Sequence, residues 1–92
     1  MSDATQPIHL NSHHRKTVSH IFEHPISHNV EWRSVESLFA AIGTVDETHE
    51  GKFRFTIGER SEVFHRPKHK EISTEQVMNI RHLLADVGFS AA

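Results

Sequence analysis

His65 and His69 stand four residues apart around Pro67, at the end of a segment, Lys52 to Lys70, that reads KFRFTIGERSEVFHRPKHK. Imidazoles that titrate near neutrality, set beside fixed cations, can cleave RNA without a metal. A base deprotonates a 2′-hydroxyl, an acid protonates the leaving 5′-oxygen, and a cation stabilises charge on the phosphorane. His65 and His69 are therefore the candidate acid/base groups, with Lys52 or Arg54 placed to steady the phosphate. Binding alone asks for less. Lys52, Arg54, Arg60, Arg66, Lys68 and Lys70 suit duplex RNA, which is read through its backbone and 2′-hydroxyls. The plainest reading of the same residues is a solvated strand face followed by a basic loop, since strands also carry Lys to discourage edge pairing.

The basic density is local. Six of the chain's ten Lys and Arg fall between Lys52 and Lys70, against Glu59 and Glu62, while the whole chain carries a net charge of −2. Glu23 to Glu50 is the reverse, with Arg33 its one Lys or Arg. An acidic helical side and a basic sheet side give the molecule a directional field, and its expected partner is an extended anion such as RNA rather than a small metabolite. Ten histidines add positive charge as pH falls, because free imidazole titrates near pH 6.5.

A third chemistry is metal binding. His9, His13, His14, His20, His24 and His28 crowd the N-terminal third, and His20 and His24 are one helical turn apart. A third ligand such as Glu23 or His28 would have to converge on them. The simpler reading is exposed polar histidine, so no metal and no cofactor is assigned.

These residues need elements to hold them. Residues 1–13 read as a flexible N-terminal arm and 14–90 as a single domain. Arg15 to His24 carries Val18, Ile21 and Phe22 on one side, a short helix stopped by Pro25. Asn29 is the expected cap of the next helix, in which Trp32, Val35, Leu38, Phe39 and Ile42 recur at helical spacing before Gly43 closes it in a left-handed position. Thr44 to Thr48 reads as a first strand and Glu50-Gly51 as its turn. Lys52 to Ile57 is a second strand, with Phe53, Phe55 and Ile57 inward and Lys52, Arg54 and Thr56 outward. After Gly58-Glu59, Ser61 to His65 is the third, with Val63 and Phe64 competing for the inner face. Ser73-Thr74-Glu75-Gln76 is a capping box opening a helix that carries Val77, Ile80, Leu83, Leu84 and Val87, ends at Gly88 and folds Phe89 back.

The order is a short helix followed by α-β-β-β-α. It predicts an α+β fold: a three-stranded antiparallel meander with helices on one face and the other face left to solvent or ligand. Zero cysteine excludes disulfides and thiolate metal sites. No apolar run approaches the roughly 20 residues that span a bilayer. The polar N-terminus lacks a signal core. The expectation is a cytoplasmic protein with no membrane partner. An exposed outer strand is open to self-pairing into a homodimer.

That order is the one found in double-stranded-RNA-binding domains, and Val30 to Phe89 resembles the HicA-type toxins of bacterial toxin–antitoxin systems built on it. Trp32 to Gly43 (WRSVESLFAAIG) looks like the family's first helix. Glu50-Gly51 and the strand after it take the place of its Gly-Ser-His strand opening. Pro67-Lys68-His69, then Val77 to Phe89 (VMNIRHLLADVGF), looks like its Pro-x-His turn and closing helix. Thr17 to Trp32 looks like the leading extension of a longer branch, with His65-Arg66-Pro67 as part of its signature. The resemblance implies a dsRBD-like fold, a small mRNA-cleaving ribonuclease (an mRNA interferase) and silencing by a HicB-type antitoxin. It also implies a catalytic His at the third position of Gly-Ser-His. Here that triplet is Gly51-Lys52-Phe53, so the family's catalytic position holds Phe53.

Overall fold

The structure, a computed structural model, describes residues 10–90; most of the expected N-terminal arm lies outside them. The first helix, α1, runs Ser12–Ile21, so Ser12 and His13 belong to the folded domain and not to the arm. It begins earlier than Arg15 because Asn11 is its cap: the side chain accepts the His14 backbone N–H at 2.8 Å, satisfying one donor that the first turn leaves free. It also stops at Ile21, short of His24.

The second helix, α2, spans Trp32–Ile42 as its periodicity predicts, but Asn29 does not cap it. Glu31 precedes the helix in extended conformation with no side-chain cap bond, and the Asn29 N–H donates to Ser27 Oγ at 3.1 Å. Backbone pairing sets this entry instead. Trp32 N–H donates to Lys70 O and Ile72 N–H to Val30 O, both at 2.9 Å, around an antiparallel bridge between Glu31 and Glu71.

Three strands follow: β1 Thr44–His49, β2 Lys52–Ile57 and β3 Arg60–His65, paired antiparallel in the order β1-β2-β3. The turn between β1 and β2 places both Glu50 (φ 53°) and Gly51 (φ 77°) in the left-handed region, as a two-residue type I′ hairpin requires. Gly43 is not left-handed, contrary to expectation; its φ of −163° is ordinary extended backbone. The position excludes a side chain for another reason: a Cβ there would lie 1.9 Å from Thr56 O, so glycine lets the end of α2 pass directly over β2.

The last helix, α3, spans Thr74–Asp86, with Ser73 Oγ accepting the Gln76 N–H at 3.2 Å. It ends with Gly88 N–H on Ala85 O and Phe89 N–H on Leu84 O, both at 3.0 Å, the paired bonds of a Schellman motif that carry Phe89 into the core.

Helices α2 and α3 cover one face of the sheet, α2 over β1 and β2, α3 over β3. Helix α1 packs on both helices and touches no strand, forming a third layer through Val18 and Ile21. The register pairs Phe53 with Phe64, which settles the competition on β3: Phe64 is buried and Val63 is exposed. Phe55 anchors the core, stacked on Phe39 at 4.7 Å between ring centroids and flanked by Trp32 at 5.4 Å and Phe64 at 5.2 Å. The result is an α+β fold with the α-β-β-β-α order and an additional N-terminal helix.

Candidate nucleic-acid interface

The strand register sorts the outward sheet face into rows. At one end Thr44, Thr56 and Ser61 lie side by side, with Thr56 Oγ1 donating to Ser61 Oγ at 3.4 Å. In the middle Arg54 sits between Asp46 and Val63. At the other end Lys52 sits between His49 and His65. The face is therefore hydroxylic at one end and cationic at the other, because Lys52 and Arg54 are the alternates of the buried Phe53 and Phe55. Lys52 and His65 form a non-hydrogen-bonded pair, the type in which side chains stand closest.

Beyond His65 the chain rounds the end of the sheet. Arg66 N–H donates to Gly51 O at 2.9 Å, which holds the start of the basic loop against the β1–β2 turn. Its far end is held by the bond from Trp32 N–H to Lys70 O. Between these ties, Arg66, Lys68, His69 and Lys70 face the first residues of α2 across an open groove of about 490 Å³, whose other wall carries Glu31 and Arg33. Arg33 is a cation that the sequence pattern hid, since it is the lone Lys or Arg of an acidic stretch; its signal was that isolation. His49, beside Lys52, was likewise missed.

Not every expected cation joins this surface. Arg60 pairs with Ile57 at the opposite end of β3 and lies on the helix side of the sheet, where its guanidinium forms an ion pair with Asp86 of α3. The two candidate imidazoles also separate. His65 lies on the sheet face beside Lys52, whereas His69 lines the groove. Phe53, which the resemblance sets where a catalytic histidine is expected, is buried against the Trp32 ring at 5.4 Å.

Of the N-terminal histidines, His9 lies outside the described residues, and His14 and His20 are tied into the fold. His20 Nε2 is 2.7 Å from the buried Ser27 Oγ and 3.8 Å from Glu23 Oε1, and His14 Nε2 is 3.1 Å from Ser37 Oγ. Among the described residues no group of three His, Asp or Glu side chains converges so as to hold a metal ion. Arg81 is a structural residue with no sequence signal. From α3 it donates through Nε to Ile21 O at 3.1 Å and through a terminal nitrogen to Glu23 O at 3.0 Å, and its guanidinium lies 5.9 Å from the Phe22 ring centre.

No family model, curated protein or solved structure matches this chain. Among the described residues no helix is long and apolar enough to cross a membrane.

Proposed function

We propose that this protein acts on RNA as a HicA-like domain, gripping the phosphate backbone with the cationic end of its sheet and the basic loop that continues from it. The observation that carries this reading is continuity: Lys52 and Arg54 on the outward face lead through His65 to Arg66, Lys68 and Lys70, with Arg33 across the groove. The side chains are exposed or half-buried, so a polyanion can reach them directly from solvent. The α-β-β-β-α order supports RNA over other anions, because that fold presents basic side chains to duplex backbone and 2′-hydroxyls. The same reading places the protein in the cytoplasm, with an acidic segment of a HicB-type antitoxin competing for the basic surface.

Titration of the protein into labelled duplex RNA at rising salt tests this directly. Neutralising about five phosphates predicts roughly a 500-fold loss of affinity between 50 and 200 mM salt. Absence of binding at low salt, or a flat salt response, removes the proposal.

A second reading, metal-independent endoribonuclease activity, is favoured by one observation, the pairing of Lys52 with His65 at the cationic end. There His65 exchanges a proton with the ribose or leaving oxygen, and Lys52 holds the phosphate; His69, in the groove, is the other candidate acid/base. Incubation of wild type, His65→Ala and His69→Ala with total RNA in chelator decides it. Cleavage lost in either variant supports the reading, and cleavage by wild type that survives both, or none at all, ends it.

A further inference from the structure

One backbone bond fixes the polarity of β3. Arg66 N–H donates to Gly51 O, and hydrogen-bonded pairs recur at every second residue of an antiparallel ladder. Given the register Phe53↔Phe64, Phe55↔Glu62 and Ile57↔Arg60, residues Arg60, Glu62, Phe64 and Arg66 turn their N–H and C=O toward β2. Ser61, Val63 and His65 turn theirs away from the sheet, where β3 is an outer strand. Gln76 agrees with this direction: from α3 its Nε2 donates to His65 O at 3.3 Å.

The two sheet edges are not equivalent. β1 is broken by a register shift between Glu47 and His49, with Thr48 Oγ1 donating to Lys52 O at 3.1 Å. Such a bulge blunts an edge. β3 keeps its register over all six residues and meets no proline before Pro67. Val63, 48% exposed on its outward face, is the more exposed of the two large apolar side chains left open among the described residues.

We propose that β3 pairs antiparallel with β3 of a second copy, centred on Val63 of each, joining two three-stranded sheets into one continuous sheet with all helices on the same side. Continuity of the two faces requires outward-turned residues to oppose outward-turned residues. The register that uses all of them sets Val63 against Val63, and Ser61 against His65 in both directions, each pair exchanging two backbone bonds. His65 O keeps a lone pair for the second copy while it accepts from Gln76. The two exposed Val63 side chains cover each other. Glu62 of one copy falls diagonally across from Arg66 of the other, within reach for long side chains of opposite charge. Pro67, lacking an N–H, ends the pairing where the basic loop begins.

Light scattering over a dilution series, from submillimolar to low micromolar protein, should show a dimer that dissociates. The Val63→Lys variant places two ammonium groups face to face on the two-fold and should weaken dimerisation by roughly tenfold or more, while Thr44→Lys on β1 leaves it unchanged. Amide hydrogen exchange on the wild-type protein gives a reading independent of any variant's folding: the Val63 N–H should be protected when concentrated and exchange freely when dilute. A monomer throughout overturns the proposal and leaves the edge to a strand of another protein. So does a dimer that Val63→Lys leaves intact, or Val63 exchange that ignores concentration.

Discussion

The backbone N–H of Trp32 donates to the carbonyl oxygen of Lys70 at 2.9 Å, and this bond ties the basic loop to the first turn of α2. The same tryptophan packs its ring 5.4 Å from both Phe53 and Phe55, whose alternates on β2 are Lys52 and Arg54. One residue thus connects the core to both halves of the cationic surface. Local composition becomes a placed surface because the loop is held at each end, by Arg66 on Gly51 and by Lys70 on Trp32. A loop free at either end would lose side-chain and backbone entropy on meeting its ligand.

Location, and not basic character alone, should govern binding. Arg66→Ala and Lys68→Ala are each expected to weaken RNA binding uniformly across sequences and to lower the salt slope by about one. Arg60→Ala should leave both unchanged, since Arg60 is engaged with Asp86 on the far side of the sheet. Its cost should be confined to stability, about 0.2–1 kcal/mol for an ion pair this exposed. Anisotropy titrations of the three variants at several salt concentrations make the comparison; an Arg60 effect equal to that of Lys68 would show that net charge, not this surface, controls binding.

Much of this fold is legible in the sequence because its signals are local. Alternation at Phe53, Phe55 and Ile57 fixed which side of β2 is buried, and Ser73 with Gly88 marked both ends of α3. The misplacements share one cause: a distant segment did the work that a local signal seemed to claim. Asn29 has the chemistry of a cap, yet the strand-like pairing of Val30–Trp32 with Lys70–Ile72 set the entry to α2. Gly43 looked like a left-handed stop and is instead a clearance for Thr56 O. Arg60 belonged to a basic run by sequence and to α3 by register. Arg33 belongs to an acidic stretch by sequence and lines the same groove as Lys68 in the fold.

Arg81 should prove a stability residue with no part in binding. Its two bonds satisfy carbonyls at and just beyond the C-terminus of α1, where the helix dipole favours a cation. Arg81→Ala is expected to lower stability by about 2 kcal/mol, from charge-assisted bonds that are partly solvated. Arg81→Lys should recover only part of this, because an ammonium cannot span both carbonyls with the planar fork. Urea titration should show a lower midpoint with unchanged slope; a midpoint within error of wild type for Arg81→Ala would refute the clamp.

At Gly43 a single methyl group should be costly. The Cβ of Gly43→Ala would fall 1.9 Å from Thr56 O, and the obstacle is backbone on the central strand, which cannot swing aside. The expected loss is about 3 kcal/mol, the upper end for overpacking. Gly51→Ala is the informative contrast. Nothing lies within 4 Å of that Cβ, so only its φ of 77° is penalised, at about 1–2 kcal/mol. Equal losses at the two positions would mean that the close approach of α2 to β2 is relieved by movement.

The β1–β2 turn offers a change in the opposite direction. Glu50 occupies the left-handed region at φ 53° without the short side chain that tolerates it, and it precedes Gly51 at φ 77° in a two-residue loop. Asn-Gly is the preferred pair for this turn, because asparagine enters that region at lower cost and its amide bonds locally. Glu50→Asn should therefore raise stability by about 0.5–1 kcal/mol. It also removes a negative charge next to Lys52, so RNA affinity should rise slightly as well. Thermal unfolding, followed with and without duplex RNA, separates the two effects. A variant less stable than wild type would mean that the Glu50 carboxylate supports the turn in a way its backbone geometry does not reveal.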